Sequence, residues 1–162
     1  MSQINRIDGG LIDQTKSVSF TFNGQILRGY EGDTLASALL ANNKHLVGRS
    51  FKYHRPRGIV TAGSEEPNAI MEIGHGAYKE PNTRATITQL YNGLKANSQN
   101  HRGPLGFDFM AITDFFSPFL SAGFYYKTFM WPKAFWEKFY EPAIRHSAGL
   151  GKLSMLEDPD TY

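Results

Sequence analysis

Cysteine is absent from this 162-residue sequence. Without thiols the chain cannot form a disulfide framework, present a thiolate nucleophile or bind a metal cluster through cysteine ligands. These absences exclude a small secreted scaffold stabilised by disulfides. We therefore expect a cytoplasmic protein that carries no iron–sulfur cluster.

Long hydrophobic runs and clustered metal ligands are missing as well. No apolar stretch approaches the roughly 20 residues that a membrane-spanning helix needs. The start, MSQINRIDGGLIDQ, lacks the apolar segment of a secretory signal. The five histidines are scattered, with no HxxxH or HxH pair. The sequence therefore predicts neither a membrane protein nor a metal site.

Neither charge nor catalytic motifs indicate an activity. A net charge of +2 and a charged fraction of 20% are typical of ordinary globular proteins, and this bias is too weak to indicate nucleic-acid binding. No GxSxG serine motif occurs, and the glycines at 74–76 and 149–151 lack the spacing of a dinucleotide-binding fingerprint. We expect no complete active site and no catalytic residue within this chain.

A hairpin and a short helix are predicted near the start of the chain. Residues 17–22 alternate apolar and polar side chains, as in a strand with one buried face. The dipeptide Asn23-Gly24 favours a type I′ turn into a second strand at residues 25–30. The stretch GDTLASALLANN then places apolar residues on one helix face, and Asp33 or Thr34 can cap that helix.

Further strands are predicted at residues 69–73 and 84–91. A hairpin, a helix and later strands in this order predict an α+β fold, namely a ubiquitin-like or ferredoxin-like β-grasp with an aromatic-rich, partly helical C-terminal extension. We expect four parts along the chain: an N-terminal arm (1–16), the β-grasp domain (17–100), an aromatic docking extension (101–153) and a polar linker (154–162).

Aromatic residues are concentrated in one segment. The chain contains 12 Phe, 8 Tyr and 2 Trp, and fourteen of these aromatic residues lie within residues 107–140. Adjacent pairs such as Phe115-Phe116, Tyr125-Tyr126 and Phe135-Trp136 point in different directions, so one small core cannot bury them all. Two interpretations stay open, a second hydrophobic core packed on the β-grasp or a surface that docks on another domain or subunit. Residues 132–146 are predicted to form a helix.

Residues 44–57 form a dense run of basic and aromatic side chains. The run contains five Lys or Arg residues and two histidines, interleaved with Phe51 and Tyr53. Arginine side chains suit phosphate oxygens, and aromatic rings offer stacking faces. An anionic cofactor, acidic residues of a partner, a nucleic-acid strand, or plain solvation of a basic loop all remain open on residue types alone.

Two long stretches carry a family resemblance. The stretch GYEGDTLASALLANNKHLVGRSFKYHRPRGIVTAGSEEPNA resembles the N-terminal domain of the alpha subunit of heterotetrameric sarcosine oxidase, and SPFLSAGFYYKTFMWPKAFWEKFYEPAIRHSAGLGKL is similar to the next segment of that family. Relatives in other amine and opine oxidases have a ferredoxin loop there, with cysteines spaced C-x4-C-x2-C. The corresponding positions here are Thr61, Glu66 and Ala69, so the resemblance implies a ferredoxin-like domain without its cluster.

The resemblance implies membership of a complex that oxidatively demethylates sarcosine to glycine, formaldehyde (or methylenetetrahydrofolate) and hydrogen peroxide. It implies FAD, FMN and NAD in the complex, with no cofactor bound by this chain alone. The implied partners are the remainder of the alpha subunit, with its Rossmann and folate-binding regions, and the beta, gamma and delta subunits. The resemblance makes residues 154–162 a linker towards that Rossmann domain, which is absent from this chain. Neither nucleic acid nor a membrane is expected as a partner. We expect an excised domain or part of a split subunit.

As a hypothesis, Arg49, Lys52, Arg55 and Arg57 lie near a cofactor phosphate or near acidic residues of a partner. Their charge is dense beside the loop that faces a redox partner in a ferredoxin. The chain would then be a structural interface domain of the alpha subunit. The alternative is a free-standing β-grasp adaptor or binding protein with no catalytic role.

Overall fold

The computed structural model describes residues 3–119, 123, 131–148 and 151–160. Within them the strands are β1 (Ser17–Phe22), β2 (Gln25–Tyr30), β3 (Gly48–Arg49), β4 (Pro56–Arg57), β5 (Ile70–Ile73), β6 (Glu80–Arg84) and β7 (Lys95–Ser98). The α-helices are α1 (Leu35–Ala41), α2 (Ile112–Phe115) and α3 (Glu141–Ala148). Short 3-10 turns lie at Gly76–Tyr78, Phe109–Ala111 and Lys133–Phe135, and a π-helical turn at Trp136–Tyr140.

Five of the strands form one mixed sheet in the order β2-β1-β7-β5-β6. Strand β1 is antiparallel to β2 and parallel to β7, whereas β5 is antiparallel to both β7 and β6. Strands β3 and β4 form a separate antiparallel pair. The predicted α+β class with a β-grasp arrangement is confirmed.

The first hairpin and helix α1 form as their local signals predict. Asn23 and Gly24 adopt φ angles of 49° and 78°, which the tight turn between β1 and β2 requires. The Thr34 hydroxyl accepts a bond of 3.1 Å from the Ser37 N–H, and the Ser37 hydroxyl accepts one of 3.0 Å from the Thr34 N–H. This reciprocal capping box satisfies donors that have no partner inside the helix.

The hydrophobic core lies between the sheet and α1. The alternating side chains of β1 and the apolar face of α1 meet there, because period-two and helical patterns each collect apolar residues on one side. The buried members are Phe20, Phe22, Leu27, Leu35, Ala36, Ala38, Leu39, Val47, Ala69, Met71, Ala85, Leu90, Leu94 and Ala96. Val47 is the one residue of the basic run among these buried members, and none of them belongs to the described part of the aromatic extension.

Of the two later predicted strands, the first is confirmed and the second is wrong. Strand β5 matches the segment predicted at 69–73, but residues 85–91 form no strand, and the chain instead pairs at β6 and β7. The carbonyls of Ala85 and Thr88 accept bonds from the N–H groups of Ala36 and Leu35, at 3.0 and 2.9 Å. This segment therefore uses its backbone to satisfy the first turn of α1 rather than to extend a ladder.

The N-terminal arm is attached to the β-grasp through Arg6. Its guanidinium donates two hydrogen bonds to the Asp33 carboxylate, of 2.6 and 3.2 Å, and lies 4.9 Å from the ring centroid of Tyr30. The Asn5 N–H donates to the carbonyl of Ala41 at the end of α1, at 3.3 Å. Because Asp33 is buried, Arg6 neutralises a charge that has little access to water.

We expect the substitution Arg6→Ala to reduce the free energy of unfolding by about 2 kcal/mol, because it leaves a buried carboxylate without its ionic partner. Asp33 keeps bonds from the Tyr30 N–H and the Ser37 hydroxyl, which limits the loss. Urea denaturation measures the difference. Lys16→Ala is the control, since the pair of Lys16 with Glu31 is exposed and should contribute less than about 0.5 kcal/mol. Equal losses for the two variants would contradict this assignment.

The C-terminal extension is helical where a helix was predicted but leaves its aromatic side chains exposed. Helical turns run continuously from Lys133–Phe135 through Trp136–Tyr140 into α3. The exposed aromatic side chains of the described extension are Phe107, Phe109, Phe115, Phe116, Phe119, Trp131, Phe135 and Phe139. The predicted Tyr125-Tyr126 pair lies outside the described residues. Within the described residues, no helix is long and apolar enough to cross a bilayer.

Candidate functional site

The pairing of β3 with β4 folds the basic run into a tight loop. The Ser50 N–H donates to the Arg55 carbonyl at 2.9 Å, and the His54 N–H donates to the Ser50 carbonyl at 3.0 Å. His54 adopts a φ of 54°, in the left-handed region that histidine tolerates better than most residues. As a result the His54 side chain is buried whereas Arg55 is exposed.

Arg49, one of the four predicted contact residues, donates its hydrogen bonds to carbonyl groups within the chain. Its guanidinium donates to the carbonyl of Leu105 through two nitrogens, at 3.0 and 2.8 Å. Further bonds of 3.1 Å reach the carbonyls of Gly106 and His54. Arg49 therefore joins the basic loop to the first residues of the aromatic extension.

Lys52 and Arg55 lie around the ring of Tyr53. The Lys52 ammonium nitrogen and the Arg55 guanidinium carbon are each 4.8 Å from the ring centroid, the geometry of a cation–π contact. Arg55 also forms an exposed ion pair of 2.7 Å with Asp114, and the hydrogen bond that Arg55 donates to this carboxylate raises the pKa of Arg55. The Arg55 guanidinium therefore contacts helix α2, within the aromatic extension.

Arg57 is exposed and, among the described residues, its guanidinium has no hydrogen-bonding partner. It lines a cavity of about 320 Å³ together with Arg49, Asn68 and Asn100. The structure thus places Arg49 and Arg57 at one cavity, and Lys52 and Arg55 around one ring. The prediction that these four residues contact a phosphate or a partner remains a prediction.

A buried histidine–aspartate pair lies behind the basic loop. The Nδ1 of His54 is 2.5 Å from the Asp108 carboxylate, and the two residues are only 3% and 5% exposed. The other carboxylate oxygen accepts from the N–H groups of Arg102 and Met110 at 3.0 and 2.9 Å. Burial by itself would raise the pKa of Asp108, but these three bonds together hold it below its ordinary value. Sequence reasoning missed this pair because its members are far apart in the chain and form no motif.

The loop that corresponds to a ferredoxin loop is built around the carboxylate of Glu66, which is fully buried. One oxygen accepts from the N–H groups of Val60 and Thr61 at 2.9 and 2.7 Å, and the other accepts from those of Asn68 and Ala69 at 2.8 and 3.2 Å. Burial by itself would raise the pKa of Glu66, but the four backbone bonds outweigh it and lower the pKa. The loop therefore encloses a carboxylate anion.

The residues at the ligand positions of the loop do not fit a cysteine-ligated cluster. Thr61 and Ala69 provide a hydroxyl and a methyl group where thiolates would bind iron, and the oxygens of Glu66 are occupied by backbone donors. Among the described residues, no group of three or more His, Cys, Asp or Glu side chains could hold a metal ion.

Comparisons with known proteins agree on one family. The family model described as "2Fe-2S iron-sulfur cluster binding domain" matches residues 15–101. The chain is 63% identical over 153 residues to the sarcosine oxidase subunit alpha of Rhizobium meliloti (strain 1021). This alignment covers 94% of this chain and 16% of the relative. The corresponding subunit of Corynebacterium sp. (strain U-96) is 40% identical over 100 residues, covering 60% of this chain and 10% of the relative. This chain thus spans about a sixth or less of the length of these relatives.

One solved structure is also similar to this chain. The crystal structure of L-proline dehydrogenase from P. horikoshii matches with 31% sequence identity and a TM-score of 0.44. The match covers 54% of this chain and 16% of the other.

The cofactor prediction is corrected by the family match. The sequence led us to expect a chain that binds no cofactor and no iron–sulfur cluster, within a complex that carries FAD, FMN and NAD. The match over residues 15–101 is instead to a family described by its 2Fe-2S cluster binding. Because the sequence contains no cysteine, a cluster in this chain is not evident.

Proposed function

The chain belongs to the 2Fe-2S iron-sulfur cluster binding domain family and is homologous to the alpha subunit of sarcosine oxidase, and from this premise we propose that it is an interface domain of such a subunit. The observation that carries the proposal is the combination of strong similarity with partial length. Nearly the whole chain, 94%, aligns with a relative of which it spans only 16%. A segment of this size supplies one part of a larger oxidoreductase.

The proposed complex oxidatively demethylates sarcosine to glycine, formaldehyde (or methylenetetrahydrofolate) and hydrogen peroxide. The described polar groups support a structural contribution to it rather than a catalytic one. Glu66 is enclosed by backbone donors, Arg49 is bound to carbonyls, and Asp108 is held between His54 and two N–H groups. We propose that the reacting groups lie elsewhere in the complex.

The exposed aromatic side chains support docking on a partner. We call the residues Phe107, Phe109, Ile112, Phe115 and Phe119 the aromatic surface, and all of them are exposed. Phe115 and Phe119 are each 81% exposed, and a soluble monomer seldom leaves several neighbouring large apolar side chains in water. We propose that the remainder of the alpha subunit covers this surface, because most of the length of the relatives lies outside this chain.

The basic loop supplies a polar rim to the same interface. Arg55 and its partner Asp114 lie between the loop and helix α2, so the cations adjoin the aromatic surface. Apolar contacts surrounded by a polar rim are the usual composition of an interface between subunits. Of the four predicted contacts, Arg57 remains available to acidic groups of the remainder of the alpha subunit or of the beta subunit.

We expect the double substitution Phe115→Ser/Phe119→Ser to weaken capture of the chain by the remainder of the alpha subunit by at least about tenfold, because aromatic anchors dominate interface energies. The melting temperature of the variant should match that of the wild type, because the two side chains are exposed in the free chain. Binding is measured by titrating the labelled chain with the co-expressed remainder of the subunit.

The matched control is Ile87→Ser/Tyr91→Ser, which removes two exposed apolar side chains outside the aromatic surface. It should leave capture unchanged. If both double variants bound as tightly as the wild type, the aromatic surface would not be the interface.

A further inference from the structure

A second cavity, of about 310 Å³, lies between strand β7 and helix α3. Four Lys or Arg side chains line it, namely Lys79, Arg102, Arg145 and Lys152, against the single carboxylate of Glu72. A volume near 300 Å³ is at the small end of ligand-binding sites. An excess of positive charge in a concave site favours a small anion.

Two of the four cations are already neutralised by neighbouring carboxylates. Lys79 pairs with Glu72 at 2.7 Å, and Arg145 pairs with Glu141 one turn earlier in α3. The other two, Arg102 and Lys152, form no ion pair with any described residue. The excess charge of the cavity therefore resides on these two side chains.

Arg102 is held at the cavity by one hydrogen bond from its backbone and one from its side chain. Its N–H donates to the Asp108 carboxylate at 3.0 Å, and one guanidinium nitrogen donates to the carbonyl of His146 at 3.2 Å. The guanidinium has five N–H donors in total, so several remain for a ligand. A planar group positioned in this way can bind two oxygens of one anion at once.

Three histidines line the cavity, and they differ in how many of their ring nitrogens already have hydrogen-bonding partners. His101 uses both ring nitrogens within the chain, with Nδ1 2.8 Å from the Gly103 carbonyl and Nε2 2.8 Å from the Ser98 hydroxyl. His54 lines the same cavity, and its Nδ1 is committed to Asp108. His146 also lines the cavity and is exposed, and its ring nitrogens form no hydrogen bond with any described residue, so this ring can contact a ligand.

We propose that this cavity binds a phosphate group, with Arg102 and Lys152 as its charged contacts. A phosphate offers several oxygens to donors that converge from different elements, whereas a single carboxylate offers two. The site is distinct from the predicted contacts on the basic loop, of which none lines this cavity. It is also independent of the aromatic surface, so either proposal can fail alone.

The test is calorimetric titration of the full 162-residue chain with inorganic phosphate, in a buffer free of phosphate and sulfate. We expect a dissociation constant of about 1 mM or lower, within what a five-atom ligand can reach. Lys152→Gln and Arg102→Gln should each weaken binding by about tenfold, because each removes a charged hydrogen bond. Circular dichroism verifies folding, and Lys152→Gln serves as the main variant because its side chain is exposed.

Lys95→Gln is the matched control, since Lys95 is an exposed lysine that does not line the cavity. Phosphoethanolamine and succinate distinguish the possible ligands. Binding of phosphoethanolamine as well as phosphate would identify a phosphate monoester as the natural ligand class, and binding of phosphate alone would identify the free ion. Absence of phosphate binding, equal loss in Lys95→Gln, or tighter binding of succinate than of phosphate would overturn the proposal.

Discussion

Replacing Glu66 by alanine is expected to reduce the free energy of unfolding by about 3–5 kcal/mol, because four backbone N–H groups lose their acceptor at once. This is a large part of the 5–15 kcal/mol that stabilises a typical domain. Glu66→Gln should also destabilise the fold, by about 2–3 kcal/mol. Both carboxylate oxygens face N–H donors, so the amide nitrogen of glutamine meets donors whichever way it turns. Chemical denaturation of both variants measures these losses.

The neighbouring residue provides the matched control. Glu65 is exposed, and its carboxylate accepts one bond of 3.2 Å from the Gly63 N–H. Glu65→Gln should therefore change stability by less than about 0.5 kcal/mol. A loss as large as that of Glu66→Gln would show that the loop does not depend on one carboxylate.

The stabilisation by Glu66 should depend on pH with a defined sign. Its pKa is lower in the folded chain than in the unfolded chain. The ionised carboxylate therefore stabilises the fold fully at pH values above the unfolded pKa, and this contribution is lost as the pH falls through the folded pKa. The difference in stability between the wild type and Glu66→Gln should accordingly shrink on acidification. A difference that stays constant from pH 7 to about pH 3 would contradict the assignment.

Replacing Asp108 by alanine is expected to reduce the free energy of unfolding by about 3–4 kcal/mol, the loss typical of breaking a buried charged pair from one side. The substitution leaves the His54 ring and the N–H groups of Arg102 and Met110 without their acceptor. It also removes one of the contacts between the basic loop and the first residues of the aromatic extension. Equilibrium denaturation gives the loss.

A double-mutant cycle separates the pair from its surroundings. The coupling between Asp108→Ala and His54→Ala should be at least about 1.5 kcal/mol. The coupling between Asp114→Ala and Arg55→Ala should be much weaker, because that pair is exposed. Equal coupling energies for the two pairs would show that burial adds nothing to the His54–Asp108 contact.

The elements that the sequence predicts correctly have local signals. Asn23 and Gly24 supply the positive φ angles of the hairpin, and the Thr34 and Ser37 side chains cap α1 within four residues of each other. Backbone preference and capping act over such short distances. The α+β class can be predicted from the sequence because few folds contain a hairpin, a helix and later strands in this order.

The misassigned and missed features depend on contacts between distant residues. Residues 84–91 have the composition of a strand, but the N–H groups at the start of α1 require their carbonyls. His54 and Asp108 meet only after the basic loop and the later segment have packed together. Glu66 looks like a solvated turn residue next to Glu65, and its burial appears only once the loop closes around it.

The candidate site was predicted in location rather than in detail. The sequence indicated the basic loop and the substituted ferredoxin positions, and the structure shows what each side chain contacts. Arg49 binds carbonyls instead of an external anion, a use that charge density alone does not indicate. Residue types alone do not distinguish the two interpretations of the aromatic segment, because the same types fill cores and interfaces, and docking stays a proposal.

The central claim is that this chain is an interface domain which the remainder of a sarcosine oxidase alpha subunit covers. The most direct measurement is the mass of the complex formed when the folded chain is mixed with that remainder, by light scattering after size-exclusion chromatography. The account predicts a one-to-one complex and quenched binding of a hydrophobic dye to the chain. A chain that is folded by circular dichroism, yet elutes alone and binds dye unchanged, would contradict the account and favour a free-standing β-grasp binding protein.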